Sequence, residues 1–277
     1  ISVNTCGIYF MNYNGMALFC DLDGTLLDDQ RTLSKENIKA LSYFVKNGGH
    51  FGVAKGPPEQ TIRLKLPELP INTPSIFYNG ALVYDIQKRE EVFSCFLPEG
   101  LEPIFQGILD RYPGCGVEVS AVGRVCVLRY NNIIDFQLWR EGISSVKANW
   151  SEIPENWYKI LVCDTHEELK KIKAELDALN RTDIEVMFSE SEVVDVVVKG
   201  ASKGKALLHQ KASNKDKWRM VFAAGDNDND LAMIEAADIG IAVANARPSV
   251  KKAASHEVAD HNTPCVPQIL KIMDTYL

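Results

Sequence analysis

The element order along this 277-residue sequence predicts an α/β fold. A parallel sheet flanked by helices is interrupted by an α+β insert. Three observations predict it. The first 80 residues alternate short apolar runs with helical patterns. The stretch at roughly 82–198 reads instead as meandering strands with few helices. From residue 203 the strand–helix alternation returns. The expected division is therefore a discontinuous core, 1–81 and 199–277, with an inserted domain at 82–198.

Each element has a local reason. "ALFCD" (17–21) is a short buried-strand candidate. "SKENIKALSYFVKNGG" (34–49) carries apolar residues at 38, 41, 44 and 45, a Ser at the N-cap position and a Gly-Gly stop. "HFGVA" (50–54) is the next strand, and Pro57 and Pro58 open a short helix that ends before Pro67. "SIFY" (75–78) is a third strand, followed by Asn79-Gly80. In the insert, "ALVYDIQKREEVFSCF" gives two strands around a charged turn, and a helix fits 99–111. "GVEVSA" and "RVCVLRY" form a hairpin turning at Gly123. "WYKILVCD" is a strand, and a helix follows Thr165 as N-cap. "DIEVMFS" and "VVDVVVKG" close the insert. A helix at 203–213, strands at 219–225 and 239–244, a helix near 228–237 and further helices complete the chain.

Composition bounds the function. The chain is 46% hydrophobic and 24% charged, an ordinary globular balance. A formal charge of −7 argues against nucleic acid as a partner, because a phosphate backbone needs a basic surface. No apolar run reaches the ~18–20 residues of a membrane span, so no membrane partner is expected. The opening "ISVNTCGIYFMNYNG" lacks a basic n-region and a sustained apolar core. No signal peptide is expected there, and the expected location is cytoplasmic. Seven cysteines, with no C-x-x-C pair, read as reduced and mostly buried. The five histidines show no zinc spacing.

Four segments carry the chemistry, each in a loop after a strand, the edge where open parallel sheets bind ligands. In Asp21-Leu22-Asp23-Gly24-Thr25, alternate residues of an extended chain point the same way, so Asp21 and Asp23 can face one volume. Two such carboxylates repel unless a cation joins them or one is protonated. Oxygen ligands of this kind suit Mg²⁺. "VAKGPP" (53–58) ends the second strand. In "KGASKGKALL" (199–208) Lys203 or Lys205 adds charge to a helix N-terminus, which already favours an anion. "GDNDND" (225–230) holds more Asp and Asn than a helix cap needs. Taken singly, Asp-x-Asp-Gly reads more readily as a turn and "ASKGK" as a solvated helix start, while "GDNDND" reads equally well as a capped helix. Their conjunction at one sheet edge, with complementary charges, favours a site.

"FCDLDGTLLDD", "GASKGKAL" and "GDNDNDLAMIEAADIGIAVANA" resemble the haloacid dehalogenase (HAD) phosphatases, in the Cof-like branch with a large α+β cap (type IIB). The resemblance runs from about 16 to 277 and includes "YNGALVYD" after the third strand. It implies a Rossmann-like core and a Mg²⁺-dependent phosphatase for a small phosphorylated metabolite, a sugar phosphate or a phosphorylated cofactor. Asp21 is then the nucleophile, forming an aspartyl-phosphate. Asp23 is the general acid and then the base. The carboxylates of Asp21 and Asp226 and the backbone carbonyl of Asp23 hold the metal. Asn227 or Asp230 orients metal-bound waters. Lys203 neutralises phosphoryl charge, and Leu22 backbone groups and Asn229 fix the phosphate, with Lys55 and Gly56 beside them. A monomer or homodimer is expected. Arg124, Tyr130, Trp139 and Arg140 of the insert are candidates for substrate contact, equally good as core or surface residues.

One motif departs from the pattern. Where the family has Thr-Gly-Arg-Pro, this chain has Lys55-Gly56-Pro57-Pro58. Three readings stay open: Lys55 reaches the phosphate as a charge-assisted donor, pairs with Asp21 and disturbs the pocket, or points to solvent. The second supports a different class of function, a phospho-ligand-binding protein without turnover. A phospho-signalling receiver also uses clustered aspartates and a lysine, but the large insert does not suit it. A phosphomutase fits the family, although caps of this kind go more often with hydrolysis.

Overall fold

The computed structural model describes residues 2–3, 9–56 and 58–277, and these fall into two compact units. Cys6 and Pro57 lie outside the described residues. The first unit comprises 1–59, 66–93 and 202–277, the second 60–65 and 94–201.

The chain opens with β1 (Met16–Cys20), α1 (Lys35–Lys46), β2 (His50–Val53), α2 (Glu59–Lys65), β3 (Ser75–Phe77), β4 (Leu82–Asp85) and β5 (Glu90–Ser94), all of the first unit except α2, which from residue 60 belongs to the second. β1 is buried along its whole length, which explains an unbroken apolar run where a half-exposed strand would alternate. α1 begins where the Ser34 hydroxyl accepts from Asn37 N at 3.1 Å, as its sequence anticipates. Its stop uses both glycines. Gly48 takes φ +93°, and a Cβ on Gly49 would sit 2.4 Å from the Phe44 ring. The hairpin of β4 and β5 continues from β3 in a three-stranded sheet of the first unit.

The second unit contains α3 (Glu102–Arg111), β6 (Gly116–Ala121), β7 (Arg124–Arg129), α4 (Asn132–Glu141), β8 (Ser145–Lys147), β9 (Trp157–Cys163), α5 (His166–Ala178), β10 (Ile184–Glu190) and β11 (Val193–Val198). Its mixed sheet runs β8-β7-β6-β9-β11-β10, antiparallel except for the parallel β8–β7 pair. One face, with Val117, Val119, Ile160, Val162, Val194 and Val196, packs with Phe105 and Ile108 of α3 and Leu169 and Ile172 of α5. The register places Ser120 opposite Lys159, and both Glu118 and Asp195 opposite Leu161. A polar row therefore shares the other face. Lys159 Nζ lies 3.2 Å from Asp195 Oδ1, and Ser120 Oγ donates to Glu118 Oε1 at 3.2 Å. Burial pushes the Glu118 carboxyl up against the pull of Lys159. α4 has no counterpart in the sequence reading. Its apolar residues are spread around the helix, with Phe136 and Trp139 exposed and Ile134 and Leu138 buried, so periodicity hides it, although Asn131 caps it and Gly142 ends it in the left-handed region.

The chain then returns to the first unit with α6 (Lys203–Ser213), β12 (Met220–Gly225), α7 (Asp228–Ala236), β13 (Ile239–Val243), α8 (Pro248–Ala253), β14 (His256–Val258) and α9 (Val266–Asp274). The central sheet has the order β14-β13-β12-β1-β2, with every pair parallel. Cys20, Cys115, Cys126, Cys163 and Cys265 are buried free thiols, as their apolar surroundings suggest, and Cys95 is partly buried. Among the described residues, no helix is long and apolar enough to cross a membrane.

Candidate active site

Register brings the expected loops to one edge. Cys20 at the end of β1 lies opposite Ala224 of β12 and Val53 of β2. Asp21 N donates to the Ala224 carbonyl (2.9 Å), Ala54 N to the Cys20 carbonyl (2.9 Å) and Lys55 N to the Ile76 carbonyl (2.8 Å). Asp21, Lys55, Asn79 and Asp226 thus follow the carboxyl ends of neighbouring strands, where ligands of parallel sheets sit.

Lys203 is the first residue of α6, after a Ser202 hydroxyl that accepts from Lys205 N at 3.1 Å. Its side chain is 0% exposed. The ammonium donates to Asp21 Oδ1 at 2.6 Å and Asp230 Oδ1 at 2.7 Å. Burial opposes its charge, but Asp21 and Asp230 outweigh burial and hold the ammonium above its ordinary value. Burial and then Asp230 push the Asp21 carboxyl well above the usual carboxylate range, with Lys203 pulling the other way. Burial and Asp230 also push Asp226 up to about 6, against the Thr25 hydrogen bond and Lys203. One ammonium is bonded to two carboxylates with a third nearby, and burial together with the surplus negative charge raises two of them.

That surplus is the test of a cation. One oxygen from each of Asp21, Asp226 and Asp230 lies within 4.8 Å of the others. These are hard oxygen donors, and a divalent ion would cancel the two charges that Lys203 leaves, so the residues present fit Mg²⁺. Asp230 is already engaged at both oxygens. Its Oδ1 takes Lys203, and its Oδ2 accepts from Asp226 N (3.0 Å) and Asn227 N (3.1 Å). Asn227 Oδ1 caps α7 through Asp228 N (2.9 Å) and accepts from Arg247 Nε (2.8 Å), so its oxygen serves the loop.

Asp23 is turned differently from the extended alternation expected for this segment. The Leu22 carbonyl accepts from Thr25 N, Leu26 N and Leu27 N at 2.9–3.2 Å, which winds the chain into a turn. Each aspartate then has its own cation. Asp21 pairs with Lys203, whereas Asp23 Oδ1 lies 2.8 Å from Arg31 and Oδ2 lies 3.3 Å from Lys55 Nζ. The Lys55 side chain is only 2% exposed, which overturns the reading of a lysine pointing to solvent.

Gly56 and Asn229 meet at a residue the sequence reading gave no role, Asn79. Asn229 Nδ2 donates to Asn79 Oδ1 at 3.2 Å, and a Cβ on Gly56 would lie 3.4 Å from the same oxygen. Asn79 has φ +53°, a left-handed conformation that Asn tolerates. The Asn-Gly pair after the third strand was its signal. Thr25 was also missed. It is fully buried and donates from Oγ1 to Asp226 Oδ1 at 3.2 Å. Gly24 explains itself beside it. It takes φ +77°, and a Cβ there would lie 2.6 Å from Asp226 Oδ2. Arg31, also at positive φ (57°), carried no sequence signal.

Carboxylates able to hold a divalent cation, beside a buried lysine at this edge of an α/β sheet, define a class of protein that handles an anionic group such as phosphate. The profile of the haloacid dehalogenase-like hydrolases matches residues 18–270, and the chain belongs to that family, in its Cof-like phosphatase branch. It is 26% identical over 265 residues to the pyridoxal phosphate phosphatase YbhA of Escherichia coli, with 90% of this chain and 95% of that protein covered. Its fold matches a haloacid dehalogenase-like hydrolase from Bacteroides thetaiotaomicron with a TM-score of 0.85 and 23% identity, over 93% of this chain and 99% of that one. It also matches the HAD subclass IIB sugar phosphatase BT4131 with a TM-score of 0.78 and 22% identity, over 93% and 98% of the two chains. These two likenesses speak for the fold.

Proposed function

We propose that this protein is a Mg²⁺-dependent phosphatase that hydrolyses a small phosphorylated metabolite, of the sugar-phosphate or phosphorylated-cofactor class, through an aspartyl-phosphate. The observation that carries the reading is the buried Lys203 shared between Asp21 and Asp230, with Asp226 in the same oxygen cluster. The named substrates of relatives, pyridoxal phosphate and sugar phosphates, support the substrate class.

Asp21 supplies the oxygen that attacks phosphorus. The P–O bond to the alcohol breaks, and Asp23 gives the leaving oxygen its proton. Asp23 then takes a proton from water, the water oxygen attacks phosphorus, and the bond to Asp21 breaks to release phosphate. Lys203 steadies the attacking carboxylate and balances charge on the phosphoryl oxygens. Asp21 and Asp226, with the backbone carbonyl of Asp23, would hold Mg²⁺, which when bound shields the attacking carboxylate from the anionic phosphate. Asp230 keeps Lys203 and the Asp226–Asn227 backbone in place. Gly56 and Asn229, joined through Asn79, and the Leu22 backbone form the rim for the phosphate.

The test is phosphate release with Mg²⁺ over a panel of phosphorylated metabolites. Release by the wild type and none by Asp21→Asn is expected. If neither the wild type nor Lys55→Thr exceeds Asp21→Asn, the reading fails. Ligand affinity without release would make the chain a binding protein instead.

A further inference from the structure

We infer that Lys55 and Arg31 are positioning residues that clamp the Asp23 carboxylate for proton transfer, and that Lys55 acts on the leaving group through Asp23 rather than holding the phosphate. The inference rests on the phosphatase reading above and goes beyond it by giving this chain's unusual Lys55 a task.

The geometry is specific. An aspartate has two side-chain torsions, and a partner on only one oxygen leaves rotation about that contact. Here each oxygen faces its own cation, Arg31 at 2.8 Å from Oδ1 in an ion pair without hydrogen-bond geometry and Lys55 at 3.3 Å from Oδ2. The two cations come from different places. Lys55 follows β2, is buried, and has its backbone tied on both sides, N to the Ile76 carbonyl at 2.8 Å and O to Asn79 N at 3.4 Å. A rooted chain of this kind loses little further entropy in holding a partner.

Arg31 sits in the loop after Asp23. The Asp28 side chain holds that loop by accepting from Gln30 N (2.9 Å) and Thr32 N (2.8 Å). The Arg31 amide donates to the Asp28 carbonyl at 2.8 Å. These bonds keep Arg31 at φ +57°, a conformation costly for a non-glycine residue, and its side chain returns to Asp23. The Asp23 side chain is itself 42% exposed, so without the clamp solvent would leave it several rotamers. General acid–base catalysis needs the carboxylate within hydrogen-bond reach of the leaving oxygen, and small misplacements of such a group are costly in rate.

The experiment separates a proton-transfer role from a phosphate-binding one. Steady-state kinetics are measured with p-nitrophenyl phosphate, whose leaving group needs little protonation, and with phenyl phosphate, whose leaving group needs more. The variants are Lys55→Met, Lys55→Arg, Arg31→Ala and Asp23→Asn. For Lys55→Met the expected kcat loss is ~10-fold or more greater on phenyl phosphate than on p-nitrophenyl phosphate, with KM nearly unchanged. Asp23→Asn should show the same split, larger, and Lys55→Arg should restore most of it. Arg31→Ala, a change in a partly exposed loop that leaves the core untouched, should show the split even if Lys55→Met fails to fold. Equal losses on both substrates together with a raised KM would make Lys55 a phosphate ligand and overturn the inference. An unaffected Arg31→Ala would overturn the clamp. A wild type no more active than Asp21→Asn would bring down the phosphatase reading and the clamp with it, an outcome distinct from the other two.

Discussion

Burial and Asp230 push the Asp226 carboxyl up to about 6. A cation needs the ionised form, so protonation and Mg²⁺ compete for the same oxygens. Mg²⁺ affinity, read by calorimetry, is expected to fall as pH drops from about 7.5 to about 5, and to lose most of that dependence in Asp226→Asn. An affinity flat across the range would remove Asp226 from the cation site. At this scale the sequence was informative where a residue's type and its place after a strand suffice. The acidic clusters at 21–23 and 226–230 and a lysine at 203 or 205 were legible on those grounds, and the family resemblance singled out Asp21, Lys203 and Asp226 among them. Thr25, Arg31 and Asn79 were not, because a hydroxyl, a guanidinium or an amide has no assigned task until folding chooses its partner. Lys55 was legible as an anomaly, but its ion pair with Asp23 was not.

Among the elements, the polar row on the second unit's sheet shows how strand register creates electrostatics that a linear reading misses. Alternation in "GVEVSA" announces a strand with two unlike faces. It does not announce that β9 and β11 bring Lys159 and Asp195 to the same row. Glu118 is buried there, with its carboxyl pushed up by burial. A folded-state value above the unfolded one means the folded protein holds the proton more tightly. This contribution to stability is full below the ordinary glutamate range and fades as pH rises through the raised value. Glu118→Gln is therefore expected to raise Tm at neutral pH and to change it little at acidic pH, as measured by circular dichroism. A lower Tm at neutral pH would mean that the Glu118 charge repays its burial through Lys159. Helix starts read better than register, because their determinants are local. Ser34 and Thr165 both cap the helices they announce.

For the molecule as a whole, the site stores charge that the fold must tolerate. Removing Lys203 leaves Asp21 and Asp230 without their buried partner. Breaking such a pair costs ~3–5 kcal/mol when the other charges stay unpaired. Lys203→Met is expected to melt well below the wild type in chelator, and Mg²⁺ should recover part of the loss. A wild type whose Tm ignores Mg²⁺ would argue against the cation site, since a ligand of the folded state alone must stabilise it. The sequence by itself determined the alternation of strands and helices, the presence of an insert and which loops carry charge. Those follow from local periodicity and from caps that act within a few residues. Only the tertiary structure decided which cation answers which carboxylate, that the chain turns at Leu22 and separates Asp21 from Asp23, and that Gly24 must lack a side chain beside Asp226. Such choices depend on atoms some 200 residues apart, and the parallel register of β1 with β12 and β2 sets their distances.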